Sequence, residues 1–125
     1  MSGRITTSLN MERKIIELQK VLKLSTKAAV MRLAIGISLN QEEDPRKQQE
    51  DNDHNGATYQ ILTITGEYND IYKMMFSNFS GYKINEEEFT ELLLAHIYRG
   101  IEYLYSEYEL KGNYNKILDY LIKYI

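Results

Sequence analysis

The chain has no cysteine and no tryptophan, a single proline, Pro45, and only two histidines in 125 residues. Without a thiol there is no disulfide framework, no thiolate nucleophile and no thiolate metal site. No phosphate-cradling glycine motif is present either. Long apolar runs are scarce: the longest, residues 28–39, is interrupted by Arg32. The start, MSGRITTSLN, lacks an apolar signal core. A soluble, cytoplasmic chain with no membrane partner is therefore expected. The net charge of −3 argues against a nucleic-acid partner until its distribution is considered. Up to Asn40 the chain carries Arg4, Arg13, Lys14, Lys20, Lys23, Lys27 and Arg32 against only Glu12 and Glu17. The acidic surplus all lies later.

What is present divides a single domain, residues 1–125, into three stretches. In residues 1–40, RITTSL (4–9) alternates Ile5, Thr7 and Leu9 with Arg4, Thr6 and Ser8, which predicts a short strand. Asn10 can cap a helix whose apolar residues Met11, Ile15, Leu18 and Leu22 form one stripe. A second helix follows from LSTKAAVMRLAIGISL (24–39), apolar on nearly every side and so expected to be buried nearly all round. Within it Arg32 needs a carboxylate or carbonyl partner. Residues 41–57, beginning QEEDPRKQQEDNDHNG, hold almost no apolar side chain and predict a mobile charged linker. In residues 58–125, TYQILTIT (58–65) predicts an extended segment. A helix with Tyr68, Ile71, Tyr72, Met75 and Phe79 on one side comes next. Asn85 followed by Glu88 is a capping signature opening a long helix through Phe89, Leu93, Ile97, Gly100 and Leu104. Gly112 ends it, and Tyr114, Ile117, Leu118, Leu121, Ile122 and Ile125 predict a last amphipathic helix.

The fold class is mainly α: a short N-terminal strand plus two helices, followed by a C-terminal helical part. A lone strand leaves its backbone groups unpaired, and the economical remedy is a second copy. Residues 4–39 resemble ribbon-helix-helix dimers in this respect, which makes the protein oligomeric. On that alternative the chain is a transcriptional regulator, with Arg4, Thr6 and Ser8 reading base edges.

Catalytic candidates are poor, and no enzyme, metal or cofactor is expected. His96 shares a helix face with Leu93, Ile97 and Gly100, the setting of a core histidine with one hydrogen-bond partner. Glu86, Glu87 and Glu88 occupy a helix N-terminal turn, where the dipole favours acids. The basic cluster is the better site. Lys20 and Lys23 leave the first helix as Ser25, Thr26 and Lys27 start the second, so ammonium groups and free amides can converge on a phosphate. Lys14 and Arg4 complete the candidate DNA-binding set.

Two motifs carry a family resemblance. ITGEYNDIY, and some twenty-five residues later LLLAHIYRGIEYLY ending at Tyr105, resemble the DndE family of DNA sulphur-modification proteins. MRLAIGISL (31–39) resembles the family's apolar helix, with Arg32 on its usual arginine. Where the family commonly has a threonine–glycine turn, this chain has Lys23 and Leu24. The resemblance implies a self-associating (dimeric or tetrameric) accessory protein of DNA phosphorothioation, a restriction-modification system in which sulphur replaces a non-bridging backbone oxygen. It implies as partners double-stranded DNA, nicked duplex included, and the other proteins of the complex: a cysteine desulfurase, an adenylating sulfurtransferase-like protein and an ATPase. Carrying sulphur as a persulfide requires a thiol, so this chain is expected to position DNA or scaffold the enzymes.

Overall fold

The computed structural model describes residues 3–48, 53–111 and 122. Strand β1 (Arg4–Thr6) leads into helix α1 (Leu9–Leu22), then α2 (Lys27–Leu39) and a 3-10 turn (Pro45–Gln48). Strand β2 (Thr58–Gln60) runs into α3 (Ile61–Thr65), a 3-10 turn (Gly66–Tyr68), α4 (Asn69–Ser80) and the long α5 (Glu86–Lys111). The expected last helix lies outside the described residues apart from Ile122, which is helical and exposed.

Helix α1 starts two residues earlier than the Asn10 cap predicts. Ser8 is the cap, its hydroxyl accepting from the Met11 amide at 3.0 Å. Asn10 instead accepts from Arg13 at 2.9 Å. The buried stripe is the expected one, Met11, Ile15, Leu18 and Leu22, with Glu12 added to it. Helix α2 buries Val30, Met31, Ala34, Ile35 and Ile37 against α1, α3 and, above all, α5. Arg32 does find a carbonyl, donating to Ile64 O at 3.0 Å, but from the exposed side of the helix. Helix α5 opens with the expected capping box: the Glu88 amide donates to Asn85 Oδ1 at 2.8 Å and the Asn85 amide to Glu88 Oε1 at 3.3 Å.

Three expectations are corrected. First, β1 does not need another copy: it pairs antiparallel with β2 of the same chain, Ile5 opposite Tyr59. The buried helix also finds its partners within the chain, so the physical argument for a ribbon-helix-helix dimer falls away. Second, Ile61–Thr65 is a helical turn rather than a continuation of the extended segment; Gly66, at φ 58, ends it. On α4 the buried residue is Phe76, while Ile71 and, in the turn before the helix, Tyr68 are exposed. Third, the charged stretch is tied down on both sides of residues 49–52. Pro45 is buried, and Arg46 bridges Asp44 and Glu91 at 2.7 and 3.0 Å. The Gly56 amide donates to Thr7 O at 2.9 Å, an approach so close that a Cβ there would lie 2.4 Å from Thr7 Oγ1.

The residues of MRLAIGISL and LLLAHIYRGIEYLY meet at the α2–α5 contact. A Cβ on Gly100 would fall 1.9 Å from Ala34 O, so only glycine permits the two backbones to come this near. Four residues earlier His96, fully buried, shares a 2.8 Å hydrogen bond with the Ser38 hydroxyl and lies against Phe76, ring centroids 4.7 Å apart. Arg99 donates to Ser38 Oγ at 2.8 Å and to Ser38 O at 2.7 Å, closing the carbonyl end of α2.

Candidate nucleic-acid interface

The turn between α1 and α2 is built by a left-handed residue. Lys23 takes φ 57 and ψ 40, and its amide and that of Leu24 return to Lys20 O and Gln19 O at 3.3 and 3.1 Å. This is the conformation glycine adopts without strain, and it falls where the resembling family commonly has a glycine-bearing turn. Thr26 then caps α2, its hydroxyl accepting from the Ala29 amide at 3.1 Å. The result is a compact bend on which Lys20, Lys23, Ser25 and Thr26 are all exposed.

Of the other expected residues, Lys27 stands on this bend, but its ammonium turns inward to Glu12 Oε2 at 2.8 Å. Lys14 is half-buried, bonded to Glu102 Oε1 at 2.6 Å and lying 5.1 Å from the Tyr105 ring centre. Both are committed to the body of the protein. Arg4 is exposed, but on β1 rather than in the turn. Ser8 is buried as a helix cap, so the trio Arg4, Thr6 and Ser8 cannot form a base-reading face.

Sequence reasoning passed over two members of the surface. Arg13 and Ile16 are exposed on α1, spaced three and four residues from one another and from Lys20, so they share its outward face. Glu17, four residues from Arg13 and three from Lys20, engages Tyr105, whose phenol it pushes above the ordinary range. The helical spacing of Arg13, Ile16 and Lys20 was the available signal.

Glu12 ties this region to the sheet. Its buried carboxylate accepts from Thr7 Oγ1 at 2.8 Å, Tyr59 OH at 2.7 Å and Lys27 Nζ at 2.8 Å. Burial works to raise the Glu12 carboxyl, but the bonds from Lys27, Tyr59 and Thr7 outweigh it and hold it below the ordinary value. Tyr59 is raised by its burial and by the same carboxylate. One acid on α1 thus joins α2, β2 and the residue that follows β1.

The other buried polar cluster is Ser38, His96 and Arg99, with Arg99 at the wall of a cavity of about 340 Å³. All three are buried, and burial together with the nearby Arg99 charge pushes His96 down to about 3, so it is neutral across the physiological range. Among the described residues no group of three or more His, Asp or Glu is placed to hold a metal ion. Nor is any described helix long and apolar enough to cross a membrane.

A family model described as "DNA sulphur modification protein DndE" matches residues 4–122. Among solved structures, the chain is similar to the crystal structure of DndE from Escherichia coli B7A, which is involved in DNA phosphorothioation modification. The two share 18% identity with a TM-score of 0.63, over 79% of this chain and 94% of that one. No curated protein matches the chain.

Proposed function

The chain belongs to the DndE family, and we propose that it serves DNA phosphorothioation as a non-catalytic subunit that grips the duplex backbone and supports the sulphur-transfer enzymes. The carrying observation is the bend between α1 and α2, where Lys20 and Lys23 are exposed beside the capped start of α2 and in line with Arg13. Cations on a convex turn suit phosphates, which fix position without reading sequence. The chain has no cysteine, so it cannot relay sulphur covalently, and it is not an enzyme on this reading. Its partners are duplex DNA, nicked duplex included, the other proteins of the modification complex, and further copies of itself in a cytoplasmic assembly.

Gel shifts with intact, nicked and scrambled duplexes test the reading. Scrambling should leave affinity within about threefold, because backbone contacts carry no sequence information. The Lys20→Gln/Lys23→Gln chain should bind each duplex more weakly. A strong loss on scrambling, or full affinity in the double variant, would refute the backbone site. Sulphur incorporation into DNA by the purified chain alone would refute the non-catalytic role.

A further inference from the structure

Among the described residues two exposed helix faces are left uncovered, and they are complementary. On α1, Leu9, Arg13 and Ile16 follow one another at spacings of four and three, so they form one outward row about 10 Å long. Leu9 is 54% exposed and Ile16 37%. Arg13 donates to the neutral Asn10 Oδ1 and is in no ion pair among the described residues. The second row runs from the turn before α4 into the helix: Tyr68, Ile71 and Met74 recur every three residues over about 9 Å. They are 56%, 49% and 62% exposed. Glu67 and Asp70 each stand one turn before a member of that row, Ile71 and Met74. Both acids are exposed, and neither is in an ion pair among the described residues. Lys73, the cation on the same helix, is spent on Glu86. A single exposed apolar side chain needs no explanation, but a row of three beside unpaired charge does.

We propose that the α1 row of one copy docks on the α4 row of another, Leu9 and Ile16 packing among Tyr68, Ile71 and Met74 while Arg13 meets Asp70 and Glu67. Both rows are exposed in one chain, so the contact can only join copies. Charge selects this pairing over the symmetric ones. Setting α1 against α1 brings cations together, and setting α4 against α4 brings Glu67 and Asp70 together. Nucleic acid suits neither row: the acids repel phosphates from α4, and phosphates on the first turns of α1 give Leu9 and Ile16 no apolar neighbour. Because different patches meet, the contact is heterologous and repeats from copy to copy until a ring closes. Lys20 and Lys23 lie beyond the docked turns and stay open to a duplex. The proposal rests on the reading of the chain as one that assembles with copies of itself, and it names the two faces that meet.

Light scattering of the full chain over a range of concentrations, alongside charge-reversed variants, tests the contact. Arg13→Asp and Asp70→Arg, both at exposed positions, should each weaken association by at least about tenfold. An equimolar mixture of the two should associate at least about fivefold more tightly than either alone, because each docked face then meets its opposite charge. The chain has no cysteine of its own, so Ile16→Cys copies mixed with Ile71→Cys copies should give disulfide-linked pairs in preference to either variant alone. Association that ignores the reversals, a mixture as dispersed as its components, or cross-links formed as readily within one variant as between the two would overturn the contact. Assembly through another surface would then stand, and the two rows would fall to other partners. A chain that is monomeric throughout would overturn the contact and the assembly reading together.

Discussion

Removing the charge from Glu12 is the most direct test of how the basic turn is held. In Glu12→Gln the side chain keeps its size, but Lys27 loses its anionic partner and the bonds from Thr7 and Tyr59 lose theirs. A hydrogen bond to a charged group contributes about 1.5–3 kcal/mol, and a neutral amide oxygen retains part of each. A net loss of about 2 kcal/mol follows, or about 8 °C in Tm for a domain of this size. The pH dependence has a definite sign. The folded Glu12 carboxyl lies below its ordinary value of 4.5, so its contribution is complete above that pH and disappears as pH falls through the folded value. Thermal melts of both proteins at a series of pH values should show a gap that is constant near neutrality and narrows below about pH 4. A gap of the same size at pH 3 as at pH 7, or none at pH 7, would refute the account of Glu12 as the charged centre of this network.

Three further outcomes are expected. Gly100→Ala should destabilise the fold by at least about 3 kcal/mol, since the new Cβ meets Ala34 O in a rigid helix–helix contact; an unchanged denaturant midpoint would contradict it. Lys23→Gly should raise stability by up to about 1 kcal/mol by relieving the left-handed backbone while weakening DNA binding, measurable by urea unfolding and duplex titration of one preparation. For DNA, Lys20→Gln/Lys23→Gln should flatten the plot of log affinity against log salt by about 1.8 per engaged subunit, and adding Lys27→Gln should leave that slope nearly where it is. A full further step of about 0.9 on adding Lys27→Gln would mean that Lys27 leaves Glu12 to meet phosphate.

The sequence revealed whatever is decided within a few residues. The α1 stripe, the Asn85–Glu88 box, and a core His96 with one hydrogen-bond partner were all legible, because caps and helical periods act over one or two turns. The N-cap of α1 was misplaced because Ser8 and Asn10 are both good caps two residues apart, and the choice fell to Ser8 once Thr7 was fixed against residues 56 and 57. The misjudged features depend on partners far along the chain. Lys14 meets Glu102 across 88 positions, and β1 meets β2 across the charged stretch. Nothing near Lys14 or Lys27 in sequence marks them as spent, so all the early lysines looked equally available. The charged stretch looked mobile because it lacks apolar residues, yet Arg46, Pro45 and Gly56 are enough to pin its described parts.

The motifs that carry the family resemblance turn out to hold structural residues. Gly100 lets α5 touch α2, His96 bonds Ser38, Arg99 closes the end of α2, and Gly66 turns α3 toward α4. Each is demanding, because a buried polar group needs its partner and a close backbone approach needs a missing Cβ. A phosphate contact makes weaker demands: a lysine anywhere on the outward side of α1 or its following turn can reach one, and its replacement opens no cavity. The residues that identify the fold and the residues proposed to act on DNA are thus under different physical constraints. Matching the motifs locates α2 and α5 but leaves the DNA surface unspecified. On the proposed reading Lys14 and Lys27, bound to Glu102 and Glu12, would contribute less to that surface than the exposed Arg13, Lys20 and Lys23.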